Sequence, residues 1–124
     1  MSTMEVVMST KEVAERLHYL FSQKLWMQHL DELFSEDAIS IHPPHSGVQP
    51  VKGREEMKKK GGEFNTRIEE VHGGWISEPI VGGNFFSIAM GMDATMKGEG
   101  RMEMNEIVVY EVKEGKIVKE QFFY

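Results

Sequence analysis

The stretch Ile39-Ser40-Ile41-His42-Pro43-Pro44-His45-Ser46-Gly47 sets two imidazoles on either side of two prolines. Imidazole has an unperturbed pKa of roughly 6.5, so either ring can take or give a proton at neutral pH. Two prolines in series favour extended backbone and remove two amide donors, which leaves His42 little freedom to swing. Fixed geometry suits a general base. His45 lies about 9 Å further along a polyproline-like path, nearer the rim of any cavity that His42 enters. A zinc ion shared by the two rings is a poor fit, because zinc needs nitrogens at about 2.0–2.1 Å and at least three protein ligands. No metal and no cofactor are expected. Two more polar groups stand among apolar ones. His18 falls in one stripe with Ala14, Phe21 and Leu25, and Asp93 sits among Met90, Met92 and Met96. A carboxylate in such surroundings must be paired, protonated or wet.

The elements that position these groups are legible in the pattern. Ser9-Thr10-Lys11-Glu12 has the form of a capping box and predicts a helix start. Val13, Ala14, Leu17, Leu20, Phe21 and Leu25 then recur at three-four spacing, which turns His18 inward. A short second helix is predicted over about 29–34, then a strand over Ala38–Ile41 that runs into the histidine-proline corner. A third helix is predicted from about Arg54 to Lys60, ended by Gly61-Gly62. From Phe64 onward the chain reads as strands: Phe64 to Val71, Trp75 to Val81, Phe85 to Met96, Arg101 to Val112 and Lys116 to Tyr124. Helices followed by an antiparallel meander define the α+β class. Simple hairpin pairing puts Asp93, Met104, Glu106, Val108, Tyr110, Ile117 and Phe123 on one face, and Met90, Met92, Ile107, Val109, Val118, Phe122 and Tyr124 on the other. One bulge exchanges every assignment beyond it. Both faces are largely apolar, so a second copy of the chain is expected to cover one of them, as a homodimer.

The chain of 124 residues fits a single domain, read as residues 9–124 behind a flexible leader at 1–8, with Met8 as an alternative start. Its net charge of −6 opposes a phosphate backbone, and Lys58-Lys59-Lys60 is offset by nearby acids, so no nucleic acid is expected. No apolar run approaches a membrane span, the start lacks a signal peptide, and cysteine is absent. The expected location is the cytoplasm, away from membranes.

The inward polar residue on the first helix, the run LFSEDAISIHP (Leu33 to Pro43), Gly53 opening the third helix and the closing VVYEVKEGKIVKEQFFY together resemble the nuclear transport factor 2-like superfamily. Within it the chain looks most like the SnoaL-like group of polyketide cyclases; ketosteroid isomerase, scytalone dehydratase and limonene epoxide hydrolase are more distant. The resemblance spans about Thr10 to Tyr124. It implies a cone, a strongly curved antiparallel sheet wrapped on the first helix, with a deep pocket at one end. It also implies site positions. His42 stands where ketosteroid isomerase has its base, His18 where it has an oxyanion-binding tyrosine, and Glu106, after a one-residue adjustment, where it has a protonated aspartate. None of the three keeps the isomerase's residue. The implied roles are His42 as base, Glu106 as orienting or proton-donating carboxyl, and His18 as the group that polarises a substrate oxygen. Asp93 matches the aspartate of the epoxide hydrolase's Arg-x-Asp pair, yet Gly91 replaces the arginine, which argues against epoxide chemistry.

Trp26, Phe34, Phe64, Trp75 and Phe122 are core residues first and pocket lining second. The same holds for Met90 and Met104, whose adaptable side chains suit a greasy ligand, and His45 and Tyr124 complete the candidate ligand contacts. Two functions follow. One is a cofactor-independent isomerase, cyclase or dehydratase acting by His/carboxylate proton transfer on a small apolar carbonyl or hydroxyl compound. The other is a non-catalytic dimeric binding module for an apolar ligand or a protein. A base and a hydrogen-bonding ligand contact use the same residue types, so the sequence leaves both open.

Overall fold

Ser9 starts the first helix as predicted: its hydroxyl accepts from the Glu12 amide at 3.1 Å while the Glu12 carboxylate accepts from the Ser9 amide at 2.9 Å. Helix α1 (Thr10–Ser22) buries Val13, Ala14, Leu17, Leu20 and Phe21. The computed structural model describes residues 7–124. Residues 1–6 of the expected leader lie outside the described residues, and Met8 packs against the core.

After α1 come α2 (Gln28–Leu33), β1 (Phe34–Ile41), a 3-10 turn (Pro44–Ser46), β2 (Val51–Lys52) and α3 (Arg54–Arg67). The remainder is β3 (Ile68–Ile76), β4 (Ile80–Gly82), β5 (Phe85–Met96), β6 (Gly100–Lys113) and β7 (Lys116–Phe123). The sheet order is β2-β1-β7-β6-β5-β3, with β4 on β5. The α+β class stands, with one change from the all-antiparallel expectation: β1 pairs with β7 in parallel. Parallel strands need a crossover, and here α3 and the whole meander supply it.

Several predicted boundaries move, and β1 begins at Phe34, ahead of the expected Ala38. Helix α3 runs through Gly61-Gly62 to Arg67, so the strand expected from Phe64 begins only at Ile68. A Cβ on Gly61 would lie 3.2 Å from the Met27 sulfur. Close packing against Met27 thus accompanies a glycine pair that local propensity disfavours by about 1 kcal/mol per residue. The strand expected over Trp75–Val81 divides around Pro79 into β3 and β4.

The faces of the sheet also change. Met96 pairs with Gly100 across the loop Lys97-Gly98-Glu99, and that odd loop length puts Met90 opposite Glu106 and Met92 opposite Met104. Asp93 pairs with Glu103 on the other face, not with Glu106. At the next hairpin Val112 pairs with Ile117, but a bulge then shifts the register so that Tyr110 meets Glu120 and Val108 meets Phe122. Phe122 therefore exchanges places with Phe123. The inner face (Phe86, Ile88, Val108, Tyr110, Ile117) joins α1 in one core. Trp75, Ile107 and Phe123 stand about half exposed on the outer face.

Candidate active site on the inner face

The strand register stacks side chains of β1, β7, β6 and β5 into layers on the inner face. Ser40, Glu120, Tyr110 and Phe86 form the deepest. Ser40 Oγ donates to Glu120 Oε1 at 2.7 Å, both residues being buried. Burial raises the Glu120 pKa to about 7, the Glu106 charge adding to it and the Ser40 hydrogen bond opposing it. Tyr110 stacks on Phe86 with ring centroids 4.7 Å apart. Its hydroxyl titrates well above the ordinary value, through burial first and the charges of Glu120 and Glu106 second.

The next layer carries His42, Phe122, Val108 and Ile88, and Glu106 follows Val108 on β6 beside Met90. Burial alone raises Glu106 to about 7; no hydrogen bond or cation among the described residues opposes it. His42 lies flat on Phe122, centroids 4.3 Å apart and planes within 10°. Its Nδ1 is 2.9 Å from the Tyr124 hydroxyl, and burial lowers its pKa, which keeps the ring neutral at pH 7. His45 Nε2 donates to the main-chain oxygen of Tyr124 at 2.6 Å. The proline corner thus grips Tyr124 with both histidines. Pro43 is extended, but Pro44 opens the 3-10 turn, so the polyproline-like path from His42 ends there.

His42 also lines an open cleft of about 430 Å³, within the size range of small-molecule sites. Val48, Pro50 and Val51 give it an apolar wall, and Lys52, Glu56 and Lys60 give it charge.

The other sequence-predicted residues are dispersed. His18 Nε2 lies 3.7 Å from Glu78, between β3 and β4. Phe34 is fully buried, edge-on to His29 and Tyr110. Trp26 tilts against Phe21, and Phe64 lies under the Arg67 guanidinium. Met90 and Met104 share the inner face with Glu106. Asp93 and Trp75 are on the outer face, beside a hollow of about 150 Å³. There Arg101 holds both oxygens of Asp93, at 3.0 and 2.8 Å, and lowers its pKa. Sequence reasoning passed over Glu120 and Ser40. The one available signal is an acid two residues before the aromatic pair Phe122-Phe123, and reading it requires knowing the bulge. It also passed over His29 as a titrating group. Wedged between Phe21 and Phe34 and bonded to the Trp26 main-chain oxygen, His29 is lowered to about 4 by burial.

A curved mixed sheet over a leading helix is the nuclear transport factor 2-like, ketosteroid isomerase-like architecture. A Catenulispora acidiphila protein of that fold, solved with trimethylamine, superposes with a TM-score of 0.71 at 18% identity, over 94% of this chain and 87% of that one. The family model described as SnoaL-like domain matches residues 8–124, and the chain belongs to that family. A candidate SnoaL-like polyketide cyclase from Mesorhizobium loti is 30% identical over 94% of this chain and 100% of its own, with a TM-score of 0.88. IdmH, a candidate polyketide cyclase from Streptomyces antibioticus, shares the fold at 18% identity and a TM-score of 0.68, over 94% and 91% of the two chains. No curated protein matches the sequence. Among the described residues no helix is long and apolar enough to cross a membrane, and no group of three or more histidines and acids is placed to hold a metal ion.

Proposed function

We propose that this SnoaL-like protein binds a small, mostly apolar carbonyl or hydroxyl compound and isomerises, cyclises or dehydrates it by proton transfer between histidine and carboxylate, without a cofactor. One observation carries the reading: His42, its pKa lowered by burial so that the ring is neutral, and an unpartnered Glu106, raised by burial to about 7, stand on one concave face. Two interstrand spacings put their strands about 10 Å apart, room for a small ring between them. In such a reaction one group removes a proton beside a carbonyl, a donor stabilises the enolate oxygen that forms, and the proton is returned elsewhere on the carbon frame. Glu120, behind Glu106, resists a second negative charge in the same wall. The polyketide cyclase descriptions of the Mesorhizobium and Streptomyces proteins support the same substrate class. We read the protein as a cytoplasmic homodimer paired through the outer face, where Trp75, Ile107 and Phe123 are half exposed.

The test is mass spectrometry of ligand released from the native protein, followed by turnover of that compound. Glu106→Gln is expected to lower kcat by about 10²–10⁴ with the fold intact by circular dichroism. Undiminished turnover in both Glu106→Gln and His42→Ala ends the proton-transfer reading. The binding-module reading is favoured by the saturation of His42 Nδ1 by Tyr124; under it, His42→Ala changes affinity alone.

A further inference from the structure

We propose that Tyr124 holds His42 in the tautomer carrying its proton on Nε2, so that the ring offers the cleft it lines an N–H donor for a ligand oxygen. The consequence for chemistry rests on the function proposed above; the tautomer itself does not. A neutral imidazole has one donor nitrogen and one acceptor nitrogen. Stacking on Phe122 buries the ring and keeps it neutral. The nitrogen facing Tyr124 is Nδ1. A phenol is the more acidic partner, with a pKa of about 10, and its oxygen shares a lone pair with the ring; the imidazole nitrogen is the better base. The stronger orientation is therefore Tyr124 O–H donating to Nδ1, which places the His42 proton on Nε2.

Position as well as chemistry favours this. The bond from His45 Nε2 fixes the main chain of Tyr124, and both histidine rings meet its ring edge-on at 6.0 Å. Tyr124 is clamped before any ligand arrives. His42 Nε2 has no hydrogen-bond partner among the described residues, and the cleft that His42 lines adds two further donors, Lys52 and Lys60, against the single acid Glu56. That surplus of donors along an apolar wall suits an apolar molecule bearing an acceptor oxygen: a ketone, an enolate or a carboxylate. An analogue lacking the oxygen leaves the N–H unpaired and is expected to bind on the order of tenfold to a hundredfold more weakly.

The experiment is a nitrogen-15 NMR spectrum of histidine-labelled, ligand-free protein at pH 7.5, with His42 assigned by its loss in His42→Gln. A pyridine-like Nδ1 and a pyrrole-like, proton-bearing Nε2 are expected. In Tyr124→Phe the two resonances should move toward one another as both tautomers become populated. A proton on Nδ1 in the wild type overturns the inference, as does an unchanged spectrum in Tyr124→Phe. If that variant does not fold, the wild-type spectrum decides alone. Turnover plays no part in the reading, so a protein that catalyses nothing can still carry the donor tautomer, and an active one can lack it.

Discussion

Strands β5 and β6 carry two acids that meet opposite fates on the two faces of one sheet. On the inner face Glu106 lies opposite Met90 with no partner and is raised to about 7 by burial. On the outer face Asp93, opposite Glu103, is gripped by Arg101 and lowered. Both are carboxylates near the middle of long apolar strands. What separates them is whether a cation is within reach, and that depends on which side of the pleat each occupies. A carboxyl kept near neutrality by its surroundings can move protons at pH 7; one held ionised by a guanidinium cannot.

The comparison breaks most visibly through pH. The folded pKa values of Glu106 and Glu120 lie near 7, above the 4.5 of a free glutamate side chain. Between those limits the folded chain binds more protons than the unfolded one, so this contribution to stability is complete below about 4.5 and is lost as pH rises through about 7. His29 acts in the other direction, its folded value of about 4 lying below 6.5, so its contribution is present above 6.5 and is lost as pH falls through 4. Two glutamates outweigh one histidine over the shared window. Urea denaturation is expected to show stability falling from pH 5 to pH 7.5. Glu120→Gln keeps an acceptor for Ser40 and removes the charge; it should gain on the order of 3 kcal/mol over wild type at pH 8. Equal stabilities for the two proteins at pH 8 would contradict the buried-acid account of the inner face.

How far this contrast was readable without coordinates depends on the range of the signal. The capping box of α1, its buried stripe from Val13 to Phe21, the limits Phe85–Met96 of β5 and the tight turn at Glu114-Gly115 rest on neighbouring residues and appear as predicted, whereas Leu25, expected in that stripe, falls beyond the helix end at Ser22 and is exposed. Gly115 and Glu114, with φ of 75° and 50°, show the left-handed backbone that such a turn requires. The assignment to faces failed because it depends on counting. A three-residue loop in place of an even one moved Asp93 away from Glu106, and one bulge turned Glu120 and Phe122 inward. The parallel pairing of β1 with β7, which brings Ser40 to Glu120, joins residues 80 apart and leaves no local trace. His42 was singled out by its corner, while its partner Tyr124 was named only among ligand contacts.

The outer face can be tested at Gly91. The Trp75 indole crosses over this glycine to donate from Nε1 to Asn105 Oδ1 at 3.2 Å, and a Cβ on Gly91 would collide with both side chains. Gly91→Ala should swing the half-exposed indole outward and break that bond, at about 1 kcal/mol of stability. Under the proposed pairing through this face, the displaced indole also disturbs the dimer. Sedimentation is expected to show dimer dissociation strengthened about tenfold with monomer folding retained. An unaltered association constant would place the interface elsewhere.

The smallest effect belongs to Asp93 itself. Its ion pair with Arg101 has ideal two-pronged geometry, but the side chains are 34% and 63% exposed, so water and salt screen it. Asp93→Asn is expected to cost only a small part of the stability, and the loss should shrink between 50 mM and 1 M NaCl. The change produced by Glu106→Gln has another origin, desolvation by protein and not attraction by a neighbour, so salt should leave it nearly constant. At pH 8 the two substitutions should therefore differ in sign as well as in salt response, Asn destabilising on the outer face and Gln stabilising on the inner. Matching salt responses would show that Glu106 is solvated like its counterpart, and the case for a neutral-range acid on the inner wall would fail with it.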